Sequence, residues 1–255
     1  MTVITVGQRK GGNGKSTSSM NLAASFAERG KRVLLIDLDD QKNSTSAIET
    51  VTVPAATVED LLLDGGTTVS DVATATSWDG VSLIAASGNL SGAIRELDGE
   101  VGSHLVLKEK LEAAASGGYD LCVIDTSPSL NILVVNALCA SRYLFIPLSS
   151  KFFSLQGLGQ TLEAFEKVRS RLNPTLSILG MAFVIHDGRS SLAREVAAKA
   201  LEEYPALVCR TMVGQNIRIE EAQVARKSIL DYAGQDRGAA QYRALADELL
   251  ERMGG

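Results

Sequence analysis

No stretch of this 255-residue sequence stays apolar over the length that a bilayer-crossing helix requires. The apolar start, Val3–Val6, is too short for a secretory leader and runs straight into a glycine-rich loop, so neither leader nor anchor is expected. Cysteine is sparse. Cys122, Cys139 and Cys209 each stand in an apolar run without C-x-x-C spacing. That excludes a disulfide framework or a zinc site and leaves reduced core residues. Positive charge is in the minority: 25 Lys and Arg against 30 Asp and Glu give a formal net charge of -5. A surface that attracts nucleic acid everywhere is thereby excluded, whereas a local basic patch is not. The C-terminal run Ala244–Met253 is amphipathic but acidic, where a helix lying on a membrane presents lysines and arginines. Internal repeats, low-complexity tracts and linkers are also missing, so one domain over residues 1–255 is expected.

What the chain has is a regular alternation. Apolar, β-branched runs predict strands over Val3–Gly7, Arg32–Asp37, Val81–Ala85, Leu121–Asp125, Tyr143–Pro147, Leu176–Ile185 and Leu207–Cys209. Helical periodicity falls between them, over Ser16–Arg29, Lys108–Ala115, Ile132–Ala140, Leu155–Leu172, Leu192–Glu203 and Gly238–Met253. Near-continuous apolar strands separated by helices imply an α/β fold, a mostly parallel twisted sheet with helices on both faces. Ligands of such sheets lie at the carboxyl ends of the strands.

The first strand reaches such an end through Val3-Ile-Thr-Val-Gly-Gln-Arg-Lys-Gly-Gly-Asn-Gly-Lys-Ser-Thr17. Strand, glycine-rich loop and helix start follow in the order a nucleoside triphosphate needs. Gly11, Gly12 and Gly14 admit backbone conformations that a Cβ forbids, so the N–H groups of the loop can converge on phosphate oxygens. Lys15 supplies a point charge there, and the Ser16 hydroxyl suits Mg²⁺. The strict G-x-x-x-x-G-K-[ST] pattern fails at Arg9, and a second lysine, Lys10, precedes Lys15 by five positions. Further on, Val33-Leu-Leu-Ile-Asp-Leu-Asp-Asp-Gln41 is a buried strand ending in acids. Alternation puts Asp37 and Asp39 on one side, where one carboxylate can hold the water shell of Mg²⁺ and the other can orient an attacking water.

The run Lys10-Gly-Gly-Asn-Gly-Lys15-Ser-Thr17 resembles the deviant Walker A loop of the ParA/MinD family of ATPases. Asp37-Leu-Asp-Asp-Gln-Lys-Asn43 is similar to that family's switch motif D-x-D-P-Q-G-N, with Asp40 for the proline and Lys42 for the glycine. Asp125-Thr-Ser-Pro-Ser129 resembles its Walker B continuation, with Ser127 for the first proline. Ser154-Leu-Gln-Gly-Leu158, Asn216-Ile-Arg-Ile-Glu-Glu-Ala222 and Asp236-Arg-Gly-Ala-Ala-Gln-Tyr242 extend the resemblance over nearly the full length. The resemblance implies a P-loop ATPase that uses ATP and Mg²⁺. Gly11, Gly12, Asn13, Gly14, Lys15, Ser16 and Thr17 would hold the nucleotide. Ser16, Asp37 and Asp125 would serve the metal, and Lys10, Lys15 and Asp39 the hydrolysis. It also implies that Lys10 reaches the ATP of the facing monomer in an ATP-dependent homodimer. The adenine would lie at the loop ending in Asn216, where Gly214 replaces a proline.

For the C-terminal half the resemblance implies binding of duplex DNA without sequence preference through Arg189 and Arg218, helped by Arg194, Arg226 and Lys227. Composition does not show this, because Asp187, Glu195, Glu202, Glu203, Glu220 and Glu221 interleave with those residues as on ordinary solvated helix faces. The implied function is partition or positioning of a chromosome, a plasmid or a protein assembly. A ParB-like or cargo-adaptor protein would stimulate hydrolysis, in the cytoplasm and on the nucleoid. Two other readings stand beside it. A MinD-like membrane switch is disfavoured by the acidic C-terminus, and an ATP-dependent amidoligase lacks any marked acceptor site.

Overall fold

The computed structural model describes residues 1–115, 117–150 and 154–254, and of 154–156 the backbone alone. The strands β1 (Thr2–Val6), β2 (Val33–Leu38), β3 (Thr74–Ala75), β4 (Val81–Ile84), β5 (Leu121–Thr126), β6 (Tyr143–Ser149) and β7 (Ser177–Ile185) form one sheet. Their order is β3-β4-β2-β5-β1-β6-β7, parallel throughout except where β3 meets β4. The helices in the first half are α1 (Lys15–Glu28), α2 (Asn43–Ala47), α3 (Val58–Leu63), α4 (Val69–Val72), α5 (Leu90–Leu97) and α6 (Val106–Ala113). Those in the second half are α7 (Ile132–Ala140), α8 (Ser154–Arg171), α9 (Ser191–Glu203), α10 (Ile217–Val224), α11 (Ile229–Tyr232) and α12 (Arg237–Gly254).

Side chains alternate between the two faces of each strand, and that period sorts the core. Ile4, Val6, Val33, Leu35, Leu121 and Val123 bury against α1, α10, α11 and α12. Val3, Leu34, Ile36, Cys122 and Ile124 bury on the opposite face against α3 to α7, and Leu144, Ile146, Met181 and Phe183 against α7, α8 and α9. The same period assigns Asp37 and Asp125, two residues beyond Leu35 and Val123, to the α1 face. Register then brings them level, since Asp125 pairs with both Asp37 of β2 and Val6 of β1. Three adjacent strands therefore end together at one rim of the sheet.

The predicted strand at Leu207–Cys209 is corrected to a single parallel bridge of Val208 with Met181. Met181 N–H donates to Leu207 O (2.8 Å) and Cys209 N–H to Met181 O (2.7 Å), and pairing resumes only where Val213 N–H donates to Phe183 O. In between, Arg210 and Thr211 turn their N–H groups to the buried Glu248 carboxylate (2.8 and 2.9 Å), which diverts them from the ladder. Strand β3 and the helices α2 to α5, α10 and α11 are absent from the sequence reading; β3 has two residues and the helices α2, α3, α4 and α11 four to six, too few to display a helical period. All three cysteines are free and buried, as read from their apolar surroundings.

Candidate functional site

The loop after β1 is shaped by two glycines. Gly12 (φ +73) and Gly14 (φ +74) take the left-handed conformation, and a Cβ on Gly14 would lie 2.9 Å from Val184 Cγ2. Gly14 caps α1, whose first turn carries no acidic side chain of its own, and Gly14 to Thr17 line the cleft at the positive end of the helix dipole. Lys15 is 6% exposed. Its Nζ lies 3.4 Å from Lys10 O. Burial lowers its pKa, while Asp125 and Asp39 act to raise it. Asn13 is buried, with an Nδ2 that has no hydrogen-bond partner among the described residues.

On the outer side of the loop, helix α8 approaches at Gly157, where a Cβ would stand 3.0 Å from Lys10 Cβ. One turn on, the Thr161 hydroxyl accepts from Arg9 N–H (3.1 Å). The Ser154–Gln156 part of that expected motif has side chains outside the described residues.

The acids form a graded set. Asp37 is fully buried, and both its oxygens are engaged. Oδ1 accepts from Asp39 N–H (3.1 Å), and Oδ2 from the N–H (2.8 Å) and hydroxyl (2.7 Å) of Thr45. Asp125, also fully buried, accepts from the hydroxyls of Ser44 (2.7 Å) and Ser19 (3.2 Å). Burial pushes its carboxyl up to about 7; Asp37 adds to the rise, and hydrogen bonds from Ser44 and Ser16 oppose it. Burial likewise raises the pKa values of Asp37 and Asp39. Asp39 accepts from Gln41 N–H (3.1 Å) and lines the open space.

That space is a cleft of about 600 Å³ lined by Gly11, Gly12, Gly14, Lys15, Ser16, Thr17 and Asp39, with Asn43, Ser46, Gln223 and Val224 across from them. Asp37 and Asp125, both fully buried, are not among the lining residues and stand behind this wall. Asn216 does not line the cleft either. Its side chain accepts from Arg218 N–H (2.9 Å) and caps α10, and its Nδ2 donates to Asp236. Sequence reasoning missed Ser44 and Thr45, which follow directly on the switch run, and Gln223 carried no signal at all.

The arginines assigned to DNA are exposed and partly paired. Arg189 contacts Asp187 at 3.3 Å and Arg218 contacts Glu221 at 2.8 Å. Arg194 donates to Gly188 O at 2.9 Å. A bridge between His186 and Gly214 brings the Arg189 and Arg218 segments side by side. Arg226 and Lys227 follow α10, both exposed.

A family model described as an AAA domain matches residues 1–178. The chain is 37% identical over 254 residues to the chromosome partitioning protein ParA of Caulobacter vibrioides, covering 99% of this chain and 95% of that protein. It is 38% identical over 250 residues to the chromosome-partitioning ATPase Soj of Thermus thermophilus, covering 98% and 96%. The chain belongs to the ParA/Soj family of ATPases. Among solved structures it is similar to a cobyrinic acid a,c-diamide synthase of Mycobacterium smegmatis with bound ATP analog and magnesium (TM-score 0.85, 29% identity, 100% and 96% coverage). Apo McdA shares the fold (TM-score 0.87, 24% identity, 98% and 99% coverage). Against the ParA/Soj switch motif, one departure has a structural account: Lys42 stands at φ +54, the left-handed geometry that the motif's glycine adopts without strain.

Proposed function

We propose that this chain is a Mg²⁺-dependent ATP hydrolase that dimerises on ATP, binds duplex DNA without sequence preference and partitions or positions a cargo. Hydrolysis is stimulated by a ParB-like or cargo-adaptor protein. The observation that carries the nucleotide reading is the meeting of a left-handed glycine loop, a buried lysine and three acids of adjacent strands at one rim.

The residues fit the triphosphate and its metal. A Cβ on Gly14 would collide with Val184 and deform the cradle, and the amide groups of the loop leave an anion site facing the cleft. Among the described residues no three carboxylate, imidazole or thiolate groups close into a direct metal cage. That suits Mg²⁺, which keeps its waters and is held by a hydroxyl and phosphate oxygens more than by a protein cage. Ser16 would ligate it and Asp125 would engage it through water, while Asp37 holds the switch segment in place. Bound magnesium supplies charge neutralisation on the phosphate oxygens. Lys15 compensates phosphate charge from within the loop, Lys10 does so across the dimer, and Asp39 orients the attacking water.

The partition reading rests on the ParA and Soj relatives and on exposed Arg189, Arg218, Arg226 and Lys227. ATP-loaded protein should retard random duplex DNA, with binding that weakens steeply as salt rises. Arg218→Glu should lose that binding while still dimerising. Failure of ATP-loaded wild type to bind at low salt would refute the DNA part.

The similarity to a diamide synthase favours a second reading, ATP-dependent amide formation. A second cavity beside the loop, lined by Gln8, Arg9, Ser127 and Leu130, is only about 30 Å³, too small for a metabolite acceptor. Turnover of ATP with no metabolite added would rule this reading out.

A further inference from the structure

Helix α10 carries a DNA-assigned arginine at its start and cleft-lining residues at its end. Arg218 lies in its first turn, and Gln223 and Val224 close it inside the cleft. Gln223 Nε2 donates to Thr17 Oγ1 at 2.7 Å. Thr17 and Asn21 are one turn apart on α1 and share a face. Asn21 Nδ2 donates to Thr17 O (2.8 Å), and its Oδ1 accepts from Ile229 N–H (3.0 Å). Two polar tethers on adjacent turns of α1 thus bracket the stretch that holds Arg226 and Lys227. A third comes from the far side: Trp78 Nε1 donates to Arg226 O at 3.1 Å, and Arg226 is held at φ +54.

We propose that Gln223 is the positioning residue through which the phosphate cleft governs the orientation of the 217–229 segment and its basic side chains. A hydroxyl has one proton and two acceptor sites. Thr17 accepts from Gln223 and lines the cleft, so its own proton is left for an acceptor there, and a phosphate oxygen is the acceptor that the site would supply. A hydroxyl that donates to an anion becomes a better acceptor itself, so occupancy strengthens the bond to Gln223. The 217–229 segment is then held in one orientation, with Arg218, Arg226 and Lys227 set as a group. For its consequence at DNA the inference rests on the proposed function; for the coupling itself it does not.

Trp78 is the only tryptophan in the chain, so its fluorescence reports on the Arg226 backbone without a label. ATP with Mg²⁺, at concentrations saturating each protein, should change Trp78 emission in wild type. Gln223→Leu should lose that change, and its DNA retention should become equal with and without nucleotide. Thr17→Ser, which keeps the hydroxyl, should respond as wild type, whereas Thr17→Val should lose the response. A silent Trp78 in wild type, or a full response in Gln223→Leu or Thr17→Val at saturation, would overturn the coupling. A wild type whose Trp78 responds but which never retains DNA would uphold the coupling and remove the DNA reading alone.

Discussion

Lys15 and Asp39 line the same cleft and attract each other, yet their removal should separate two steps. Lys15→Ala deletes a buried cation from the phosphate cradle, and loss of a charge-assisted contact should weaken nucleotide binding by about 10- to 100-fold. Asp39→Ala should retain binding but slow hydrolysis by about 100-fold or more, the scale of a lost proton-handling group. Titration with a fluorescent nucleotide and phosphate release measure the two separately. Normal hydrolysis by Asp39→Ala would end the water-orienting role. At this scale the sequence was readable wherever the chemistry is local. Lys15, Ser16 and Asp39 stand in motifs a few residues long, and each lines the cleft. Asn216 also stood in a motif, but its side chain is consumed in capping α10. Gln223 stood in none.

Among elements, the switch segment shows how a short helix is set by its neighbours. Helix α2 has five residues and no side-chain cap, and it is fixed by Ser44 on Asp125 and Thr45 on Asp37. Thr45 Oγ1 also accepts from Ala86 N–H (3.0 Å), which extends the hold to the end of β4. Lys42 enters this helix in left-handed geometry, a cost of about 1–2 kcal/mol for a residue with a Cβ. Lys42→Gly should therefore raise the melting temperature by about 2–4 °C per kcal/mol relieved, read by calorimetry. An unchanged or lower value would mean that the Lys42 side chain, which reaches over Gly88, offsets the strain. The sheet strands were legible as short apolar, β-branched runs, and the longer helices because each spans enough residues to show its period. Helix α2 was not, since its bonds come from strands β2 and β5 and from the segment after β4.

For the whole molecule, the buried acids make folding stability depend on pH and on ligand. Asp125 titrates near 3.8 when free and is pushed up to about 7 in the fold. Between those values the folded chain keeps a proton that the unfolded chain has released. Stability without ligand should therefore fall as pH rises from about 4 to about 7, by up to about 1.4 kcal/mol per pH unit for one proton. Raised values at Asp37 and Asp39 act with the same sign. Urea unfolding across this range should show the slope, and Asp125→Asn should reduce it. Magnesium with nucleotide should flatten it by favouring the ionised carboxylates. An equal slope in Asp125→Asn would place the bound proton elsewhere.

The sequence by itself determined the α/β class, the phosphate loop and the acids that end two strands. Those features depend on the backbone freedom of glycine and on side-chain period, both set within a few residues. Only the tertiary structure decided that Val6, Asp37 and Asp125 stand level, that Glu248 draws Arg210 and Thr211 off the sheet edge, and that Gln223 meets Thr17 across 206 positions. Register, buried hydrogen-bond competition and long-range docking arise from packing between distant segments, which no local pattern in the chain encodes.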